Sequence, residues 1–513
     1  MQDMMTPDDW ERLWQTQRDA PVADLLPGVH PAYGAIVSPE APQVLNIESM
    51  GVIVIDDDGT VSSIRALIGG QAKRLAEWVY LTLDGEFFNV RTGEQITKSA
   101  FDTAMAVHTP AIEFAHDDDR KARKYPASKT LLEFLRGPSV YSAMYRPDIE
   151  GRFFQHEGKE WVNSYLPHSV PDAAPDWQGH EAVESVCCHI RNILPDGAET
   201  IIQWMAHNVQ RPGKKIRWAV VIVGVEGDGK TSLGEVLKAA MGPHVADVSS
   251  DELKSDFSEW AQGKAVRVME EIKIDGERRA TVMDKLKPKI TNAEVRIVPK
   301  GKSGRSVVNV TNYIALTNHI DALPVTDGDR RWAVWKTRYP DRAAMLSEMT
   351  RQERQAFWDR FYDLINRHRE VIRGWLMSVD LRGFSINQPP ETTAAKRMMM
   401  EASKTAADFA VQEAIEIGGF GVASDVLVTD CLVQRIRDMG DVPPRSSALN
   451  KMLTDAKWTK HEGQLWWRDK ARRIYYRAES FAGLPDAQLR EVLRTRLDDT
   501  TIQGEPNPYA GDF

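Results

Sequence analysis

The stretch that decides the fold is Trp218-Ala-Val-Val-Ile-Val-Gly224-Val-Glu-Gly-Asp-Gly-Lys-Thr231, an apolar run followed by a glycine-rich loop. The β-branched run predicts a strand buried in a parallel sheet. The loop has the full Gly-x-x-x-x-Gly-Lys-Thr spacing of a phosphate-binding loop, whose glycines let backbone N–H groups turn toward phosphate oxygens. A helix predicted from Ser232 to Ala240 would point its positive end at the same place. The sequence therefore predicts a nucleoside triphosphate site between a strand and a helix.

The residues of this loop form the candidate ATP site. We expect Lys230 to reach the β- and γ-phosphates and Thr231 to ligate Mg²⁺. The candidate ATP-binding residues are Gly224, Gly227, Asp228, Gly229, Lys230, Thr231 and Ser232. A glycine-rich turn without a ligand is the alternative, and the flanking strand and helix argue against it.

A pair of acids closes a second apolar run. Ala265–Met269 predicts another strand, and Glu270 and Glu271 follow it directly. One carboxylate would hold Mg²⁺ through water, for which we take Glu270, while the other would polarise the attacking water. Paired acids after an isolated strand usually form only a solvated strand end. Downstream of a matched phosphate loop, we interpret them as catalytic.

A third strand and an arginine pair complete the candidate catalytic set. The run from Asn312 ends in Asn318, whose amide can hydrogen-bond both a γ-phosphate and the attacking water. Arg330 and Arg331 follow a turn, and an arginine there could reach the γ-phosphate of a neighbouring subunit. The alternative for the arginine pair is an ordinary surface feature.

A basic stretch lies between the second and third strands. Val295–Val298 and Ser306–Val310 flank Pro299-Lys300-Gly-Lys302-Ser-Gly304, which predicts a β-hairpin with a basic tip. Lys300 and Lys302 are therefore the candidate DNA-binding residues, because a basic tip can grip a phosphate backbone. The alternative is a solvated hairpin without a ligand.

Composition limits the class of protein. The chain has 513 residues, 27% of them charged, only 3 cysteines and a net charge of −9. These values exclude collagen-like, disulfide-scaffold and wholly disordered proteins. No apolar run is long enough to span a membrane, and adjacent Cys187 and Cys188 are poorly placed to bridge each other, so we expect a cytoplasmic protein without a membrane partner. The negative total says little about partners, because charge acts through its distribution.

The predicted fold class is α/β, with several domains. We expect an N-terminal segment of unknown role at 1–74, an upstream α+β domain at 75–180 and a nucleotide-binding core with a helical lead-in at 181–345. A helical extension and linker at 346–405, a domain at 406–485 and a polar tail at 486–513 would follow. The domain at 406–485 has the pattern of a winged helix. It is predicted to contain a helix at Ser446–Ala456, a hairpin at Trp458–Arg468 and a basic aromatic strand at Lys470–Arg477. Such a domain could contact nucleic acid or dock a protein.

The order of these motifs resembles that of the superfamily 3 helicases, and especially the helicase half of the phage and plasmid primase-helicases of the poxvirus-type NTPase group. The resemblance extends to Ile201–His207 and Gln210–Pro212, similar to the family's helical lead-in. It also includes Phe88–Gly93 with Phe101, and Trp161–Asn163, similar to its upstream domain. It covers about residues 75–345.

The resemblance implies an AAA+-type P-loop NTPase core that assembles as a ring, commonly a hexamer, and hydrolyses ATP with Mg²⁺ between subunits. It also implies translocation on single-stranded DNA, usually 3′ to 5′, in phage, prophage or plasmid replication. By position, Asn318 would be the sensor, Arg330 or Arg331 the arginine finger, and Lys300 or Lys302 the hairpin lysine that contacts DNA. The Glu270–Glu271 pair departs from the aspartate-containing versions, so the division of roles between the two acids stays open.

Two further expectations concern what the chain lacks and what else it could be. Asp56–Asp58 and His116–Asp119 are better explained as turns or solvated acids than as the carboxylate cluster of a primase, so we expect priming to lie on a separate primase or polymerase. One alternative function is a P-loop ATPase that acts on protein or as a defence or virulence switch. Another is an origin-binding initiator, which would bind duplex DNA sequence-specifically through residues 406–485.

Overall fold

The computed structural model describes residues 52–55, 61–65, 74–75, 77–109, 111–114, 123–134, 137–271, 279–300, 304–326, 328–404 and 406–499. The N-terminal segment 1–50, the acidic runs Asp56–Asp58 and His116–Asp119, and Lys302 lie outside the described residues. No helix in the described ranges is long and apolar enough to cross a membrane.

The upstream part is a mixed α+β region with three small sheets. Its strand orders are β2-β1-β6-β7, β5-β4-β3-β8 and β10-β11-β9. The strands are β1 (Val52–Ile55), β2 (Val61–Arg65), β3 (Trp78–Leu81), β4 (Glu86–Asn89), β5 (Gln95–Thr97), β6 (Ala111–Phe114), β7 (Arg123–Lys124), β8 (Ser139–Val140), β9 (Ser142–Met144), β10 (Phe153–His156) and β11 (Lys159–Asn163). Helices α1 (Lys98–Met105) and α2 (Ala127–Lys129) and a π-helical turn at Thr130–Phe134 accompany them.

The Asp84-Gly85 turn joins two strands of the upstream part. β3 and β4 pair antiparallel on either side of it. Gly85 has a φ of 69°, the left-handed region that glycine adopts without a steric penalty. Phe87 on β4 stacks on Phe101 of α1 with ring centroids 3.9 Å apart, which fixes the helix on the sheet.

The core is a five-stranded sheet of order β13-β14-β17-β12-β18 in which every pairing is parallel. Its strands are β12 (Ala219–Val223), β13 (Val245–Val248), β14 (Val266–Met269), β17 (Asn312–Thr317) and β18 (Trp332–Lys336), and the antiparallel hairpin of β15 (Glu294–Ile297) and β16 (Arg305–Val308) precedes β17. The continuous β-branched sequence of β12 follows from its central position, because all five of its residues are buried between two layers.

Helices cover both faces of this sheet. They are α3 (Glu181–Ile193), α4 (Ala198–Gln210), α5 (Ser232–Met241), α6 (Ser250–Lys254), α7 (Arg279–Thr291), α8 (Arg342–Ser347), α9 (Arg351–Arg367), α10 (Arg369–Ser378) and α11 (Ala394–Ala402). Since side chains alternate along a strand, Val220 and Ile222 face a cluster with α3, α4, α5, α9 and α10, while Val221 and Val223 face a cluster with α7, the hairpin and α11. Before the C-terminal unit, short 3-10 turns occur at Ala106–His108, Pro167–Ser169, Gly242–His244 and Glu259–Ala261.

The segment 346–405 was expected to be an extension and linker, but much of it belongs to the packing of the core. Phe361 of α9 and Ile372 of α10 are buried in the same cluster as Val220 and Ile222 of the sheet. Met399 of α11 is buried in the cluster on the opposite face. These helices are rich in charged residues, so their sequence did not indicate how much apolar surface they bury in the core.

The C-terminal unit has its own apolar core. Its elements are α12 (Ala406–Ile417), β19 (Val426–Val428), α13 (Thr429–Asp438), α14 (Ser446–Asp455), β20 (Trp458–Lys460), β21 (Leu465–Trp467), β22 (Lys470–Arg472), β23 (Ile474–Arg477), a 3-10 turn at Ala478–Phe481 and α15 (Asp486–Asp498). The sheet order is β19-β23-β20, with β21 and β22 paired separately.

Two expectations for this unit are corrected. The hairpin expected at Trp458–Arg468 forms instead between β21 and β22, because β20 pairs with the more distant β23. The expected polar tail begins with a helix, α15, whose Leu489, Leu493 and Leu497 are buried in the apolar core. An amphipathic helix with three inward leucines has an average composition that is polar, which is why the segment resembled a tail.

Candidate functional site

The candidate residues converge because parallel strands end at the same edge of a sheet. In the strand register Val223 of β12 lies opposite Thr317 of β17, and Met269 of β14 lies opposite Ala315. The residues that follow these strands therefore meet along one edge. The chain crosses from β17 over β12 to reach β18, so the carboxyl end of β12 is a point where the strand order reverses, the usual ligand position in such sheets.

Glycines permit the conformation of the loop between β12 and α5. Gly227 and Gly229 have φ values of 85° and 92°, a backbone conformation that residues with a side chain rarely adopt. A Cβ placed on Gly229 would lie 2.4 Å from the ring of Trp358. Both glycines are therefore required. Gly227 is needed for its backbone angle, and Gly229 is needed both for its angle and because the Trp358 ring leaves no room for a Cβ.

Asp228 organises the loop from within. Its carboxylate accepts hydrogen bonds from Val225 N at 2.8 Å, from Lys230 N at 3.2 Å and from the Thr337 hydroxyl at 2.8 Å. The side chain is fully buried. Asp228, expected to bind ATP, therefore positions the loop, since its oxygens are already engaged by the protein.

Lys230 and Asn318 are in contact. The Lys230 ammonium donates to Asn318 Oδ1, to Val225 O at 2.9 Å and to Asp228 Oδ1 at 3.3 Å. Only 8% of the lysine side chain is exposed. Lys230 and Asn318 therefore lie in contact beside the glycine-rich loop, although much of the sequence of the core lies between them.

Thr231 and Ser232 differ in what they can offer a ligand. Thr231 is exposed at the N-terminus of α5 and makes no side-chain capping hydrogen bond there. Ser232 is completely buried, and its hydroxyl has no hydrogen-bond partner among the described residues. Thr231 is therefore available as an oxygen donor, whereas the buried Ser232 hydroxyl is not exposed to a ligand, and the expected role of Ser232 in ATP binding stays a prediction.

The two acids after β14 lie in different surroundings. Glu270 is partly buried, and burial together with the charges of Asp247, Glu235 and Glu271 raises its pKa, although Lys238 opposes the shift. Glu271 is exposed and has a φ of 49°. Burial is the largest cause of the raised pKa, and the neighbouring carboxylates add to it.

The arginine pair lies at the opposite edge of the sheet. Trp332, the first residue of β18, pairs with Ala219, the first residue of β12, so Arg330 and Arg331 are about 16 Å along the strand from the glycine-rich loop. Arg330 is exposed, and Arg331 forms an ion pair with Asp329 at 3.3 Å. Neither arginine is brought to the Lys230 site of its own chain.

The hairpin that was expected to carry the DNA-binding lysines is present. β15 and β16 pair antiparallel, as expected, and Lys300, which follows β15, is exposed. Lys300 is not among the described residues that line the cavity beside the glycine-rich loop.

The sequence interpretation missed the residues that cover the loop. His189 of α3 donates from Nε2 to Gly229 O at 3.3 Å and packs edge-on against Trp358 of α9, with ring centroids 5.2 Å apart. Burial is the main reason that the pKa of His189 is lowered, so the ring is neutral near pH 7. No local signal marks these residues, because α3 precedes the loop and α9 follows it at long range.

A cavity opens beside the loop under this cover. It has a volume of about 260 Å³. Gly227 and Asp228 form one side of it, and Phe357, Trp358 and Tyr339 provide aromatic walls. The exposed amide of Asn192 lies at its rim. Its size and aromatic lining suit a flat heterocyclic ring next to the phosphate-binding loop.

Comparison with known proteins bears on the fold. A family described as a family of unknown function (DUF5906) matches residues 222–331. The apo structure of the NrS-1 C-terminal region (305–718) matches with a TM-score of 0.53 and 17% identity, over 78% of this chain and 95% of that one. A second form of that region matches with a TM-score of 0.51 and 16% identity, over 78% and 96%. A structure of JCV helicase matches at a TM-score of 0.24 and 15% identity, over 46% and 64%, which is too low to support an argument. None of the curated proteins matches the sequence.

These comparisons define the class of the chain as a mixed α/β protein with a parallel sheet, sharing its fold with the NrS-1 C-terminal region. At this identity the likeness is one of fold. The DUF5906 match spans the glycine-rich loop, the acid pair, the hairpin and the arginine pair, which is the set of motifs that the sequence marked as one unit.

Proposed function

We propose that the chain is an ATP-dependent DNA helicase of the superfamily 3 type. The observation that carries the proposal is the contact between Lys230 and Asn318 at the carboxyl edge of a five-stranded parallel sheet, directly over a glycine-rich loop. A γ-phosphate bound there would replace the protein oxygens that now accept from Lys230. We expect the Asn318 amide, at the same edge, to orient the attacking water.

The oxygen donors at this edge suit magnesium. The exposed Thr231 hydroxyl and the Glu270 carboxylate are the hard ligands that Mg²⁺ prefers, with water completing its shell. When bound, the ion would neutralise charge developing on the phosphates. Glu270 and Glu271 would divide between them the holding of the ion through water and the polarisation of the attacking water.

The aromatic cavity supports the choice of a nucleotide over a simpler phosphate ligand. Trp358 and Phe357 offer stacking surfaces for a base, and Gly227 joins the cavity to the phosphate loop. Base stacking on aromatic rings contributes about 1–3 kcal/mol. ATP is the nucleotide that the resemblance implies.

The position of the arginine pair supports a ring. An exposed Arg330 at the far edge of the sheet cannot reach its own site but can project toward another copy. Repetition of such a head-to-tail contact closes a ring if the rotation permits it. We infer a ring homo-oligomer, as a hexamer, in which Arg330 or Arg331 completes the neighbour's site.

Nucleic acid would be engaged at two places. The hairpin projects Lys300, and in sequence Lys302, from the core. The C-terminal unit has the order helix, strand, two helices, strand, hairpin and strand, and this order supports the proposal of a winged helix. Single-stranded DNA is the expected track, and a separate primase or polymerase would supply priming.

The decisive experiment measures ATP turnover of the full chain with and without single-stranded DNA. The wild type should be stimulated, and a Lys300→Ala, Lys302→Ala variant should lose the stimulation but keep its basal turnover, because Lys300 is not among the described residues that line the cavity beside the glycine-rich loop. Lys404→Ala, two residues after the end of α11, serves as the control for loss of a partly exposed charge. Turnover that does not respond to DNA in an assembled ring would contradict the helicase and favour an ATPase that acts on protein.

A further inference from the structure

A cleft lies between the upstream part of the chain and the core, at the edge of the sheet opposite the glycine-rich loop. Arg91 and His168 line it on the upstream side, and Lys264 lines it on the core side. Lys264 comes just before β14, which places it at the amino-terminal edge of the sheet. The cavity has a volume of about 690 Å³, enough for sugar-phosphate units.

Hydrogen bonds through a buried histidine join the two walls of this cleft. The buried His244 ring accepts a hydrogen bond from the Tyr145 hydroxyl at 2.9 Å and donates from Nε2 to Leu166 O at 3.1 Å. Burial lowers the pKa of His244 to about 4, so the ring stays neutral at physiological pH. The cleft is therefore a built feature of the interface between the two parts.

Positive charge in the cleft is poorly compensated. Among the described residues that line it, none is a carboxylate. Lys264 donates to a carbonyl, Pro243 O, at 2.6 Å and forms no ion pair within the described ranges. Arg91 has one carboxylate partner, Glu77, at 2.7 Å outside the lining. Burial and the nearby Arg267 lower the pKa of Lys264, which means that its charge would be stabilised by an anion.

A buried guanidinium behind the wall adds to this potential. Arg152 is 1% exposed, donates to the carbonyl of Tyr165 at 3.0 Å, and has no partner for Nε or Nη2 among the described residues. Burial lowers the pKa of His168 and the charge of Arg152 lowers it further, while a hydrogen bond to the Arg91 backbone opposes the shift. The cleft thus concentrates positive potential from several sides in a partly desolvated place, where electrostatic attraction is stronger than at an open surface.

A second cavity connects the cleft to the hairpin. It shares Tyr145 and Gly263 with the cleft and extends to Arg305 and Val307 of β16. Its volume is about 150 Å³. Arg305 is tied to the upstream part by a hydrogen bond to the Ser142 hydroxyl at 2.6 Å. The hairpin base and the cleft are thus neighbouring parts of one surface.

We propose that this cleft binds the phosphate backbone of a nucleic-acid single strand that continues from the hairpin, with Lys264 and Arg91 contacting phosphate oxygens from opposite walls. The inference rests on the proposed function, because the hairpin must hold the same strand. Oxyanions of free phosphate or nucleotides share the chemistry of this site, and the test separates the two sources.

The test compares single-stranded DNA affinity at several salt concentrations for the wild type, Lys264→Gln and Arg91→Gln. Each variant removes one charge from a different wall, so a local folding defect at one wall cannot account for both results. Each should weaken binding roughly 3- to 10-fold and reduce the salt dependence of log K by about 0.7, the value for one lost phosphate contact on a single strand. Lys129→Gln, in the upstream part but outside the cleft, should match the wild type, and basal ATP turnover should not change in any variant.

The outcomes separate this inference from the proposed function. If the wild type binds single-stranded DNA and both cleft variants bind it with the same affinity and salt dependence, the cleft proposal is overturned and the helicase proposal is not. Failure of the wild type to bind single strands would overturn both. A thermal shift with inorganic phosphate that Lys264→Gln abolishes, with strand affinity unchanged, would show a free-phosphate site and overturn the strand proposal.

Discussion

At the scale of single residues, the site depends on a few side chains that the protein itself already engages. Lys230 is held by Asn318, Val225 and Asp228, so its charge is positioned before any ligand arrives. Such preorganisation spares a ligand the cost of ordering a long side chain. The residue-scale predictions concern this lysine and a second one, Lys215, which is partly buried.

Replacing Lys230 with alanine should abolish measurable hydrolysis. The change removes the donor aimed at the β- and γ-phosphates, and loss of one preorganised donor typically lowers turnover by about 10²–10³-fold. Phosphate release at saturating ATP measures the effect. Lys254→Ala, which removes an exposed lysine of α6, is the control. Hydrolysis that survives in the Lys230 variant would mean that the loop does not bind the reacting phosphates.

Lys215 should make the stability of the protein depend on pH. It is partly buried, donates to Lys289 O at 2.8 Å and to Thr311 O, and burial lowers its pKa well below the usual lysine value. The unfolded chain therefore binds a proton that the folded chain has released, between this lowered pKa and about 10.4. Across that window the free energy of unfolding should rise with pH, by at most about 1.4 kcal/mol per pH unit from this group.

Chemical unfolding of Lys215→Met over that pH range measures the effect. The variant should show a flatter dependence than the wild type, because methionine fills the space without a titrating group. Lys404→Met provides the comparison at a partly exposed lysine and should keep the wild-type slope. Identical slopes in the Lys215 variant and the wild type would contradict the lowered pKa.

At the scale of elements, the helices after the sheet have roles that their average composition hides. α9 supplies the ring that covers Gly229, and α15 closes the core of the C-terminal unit. Both are charged on their outer faces, and each contributes a narrow apolar stripe. Tertiary packing, and not local sequence, decides which neighbour that stripe meets.

Truncation after Pro485 should destabilise the C-terminal unit. It removes α15, whose three buried leucines each contribute about 1.5–3 kcal/mol, and the hydrogen bond from Trp467 Nε1 to Asp498 at 2.8 Å. Limited proteolysis should then cleave within 406–485 at protease levels that spare the full chain. Truncation after Asp499 is the matched control and should be harmless. Equal resistance of both truncated chains would restore the interpretation of 486–513 as a polar tail.

At the scale of the whole molecule, the proposed ATP site and the proposed arginine finger lie far apart in one chain. The glycine-rich loop lies at the carboxyl edge of the sheet and the arginine pair at its amino edge. A chain that uses both in one reaction must do so through a neighbour. This arrangement leads to a prediction about assemblies that no single-chain measurement could make.

Mixing two inactive variants should restore activity. Arg330→Ala and Glu271→Gln damage opposite sides of the subunit, so in random rings roughly a quarter of the interfaces combine an intact arginine with an intact acid. ATP turnover of the mixture should therefore recover to roughly that fraction of the wild type. Lys230→Ala mixed with Glu271→Gln is the control without expected rescue, since both lie on one side. No recovery in the first mixture would argue for an arginine that acts within its own chain.

The sequence by itself determined the features that depend on neighbouring residues. Local sequence predicted strand β12, the glycine-rich loop with Lys230, the acids that follow β14 and the hairpin of β15 and β16. It could do so because a buried strand and a tight loop constrain which residues occur within a few positions. The order of these motifs also predicted a parallel sheet.

Tertiary structure alone decided what depends on distant chain segments coming together. It placed Lys230 against Asn318, put Trp358 and His189 over the loop, buried Asp228 and Ser232, and formed the cationic cleft between Arg91 and Lys264. These contacts join residues that no periodicity relates. Burial is a property of the assembled layers and not of the segment, and this is why the packing roles of α9 and α15 could be found only in the folded chain.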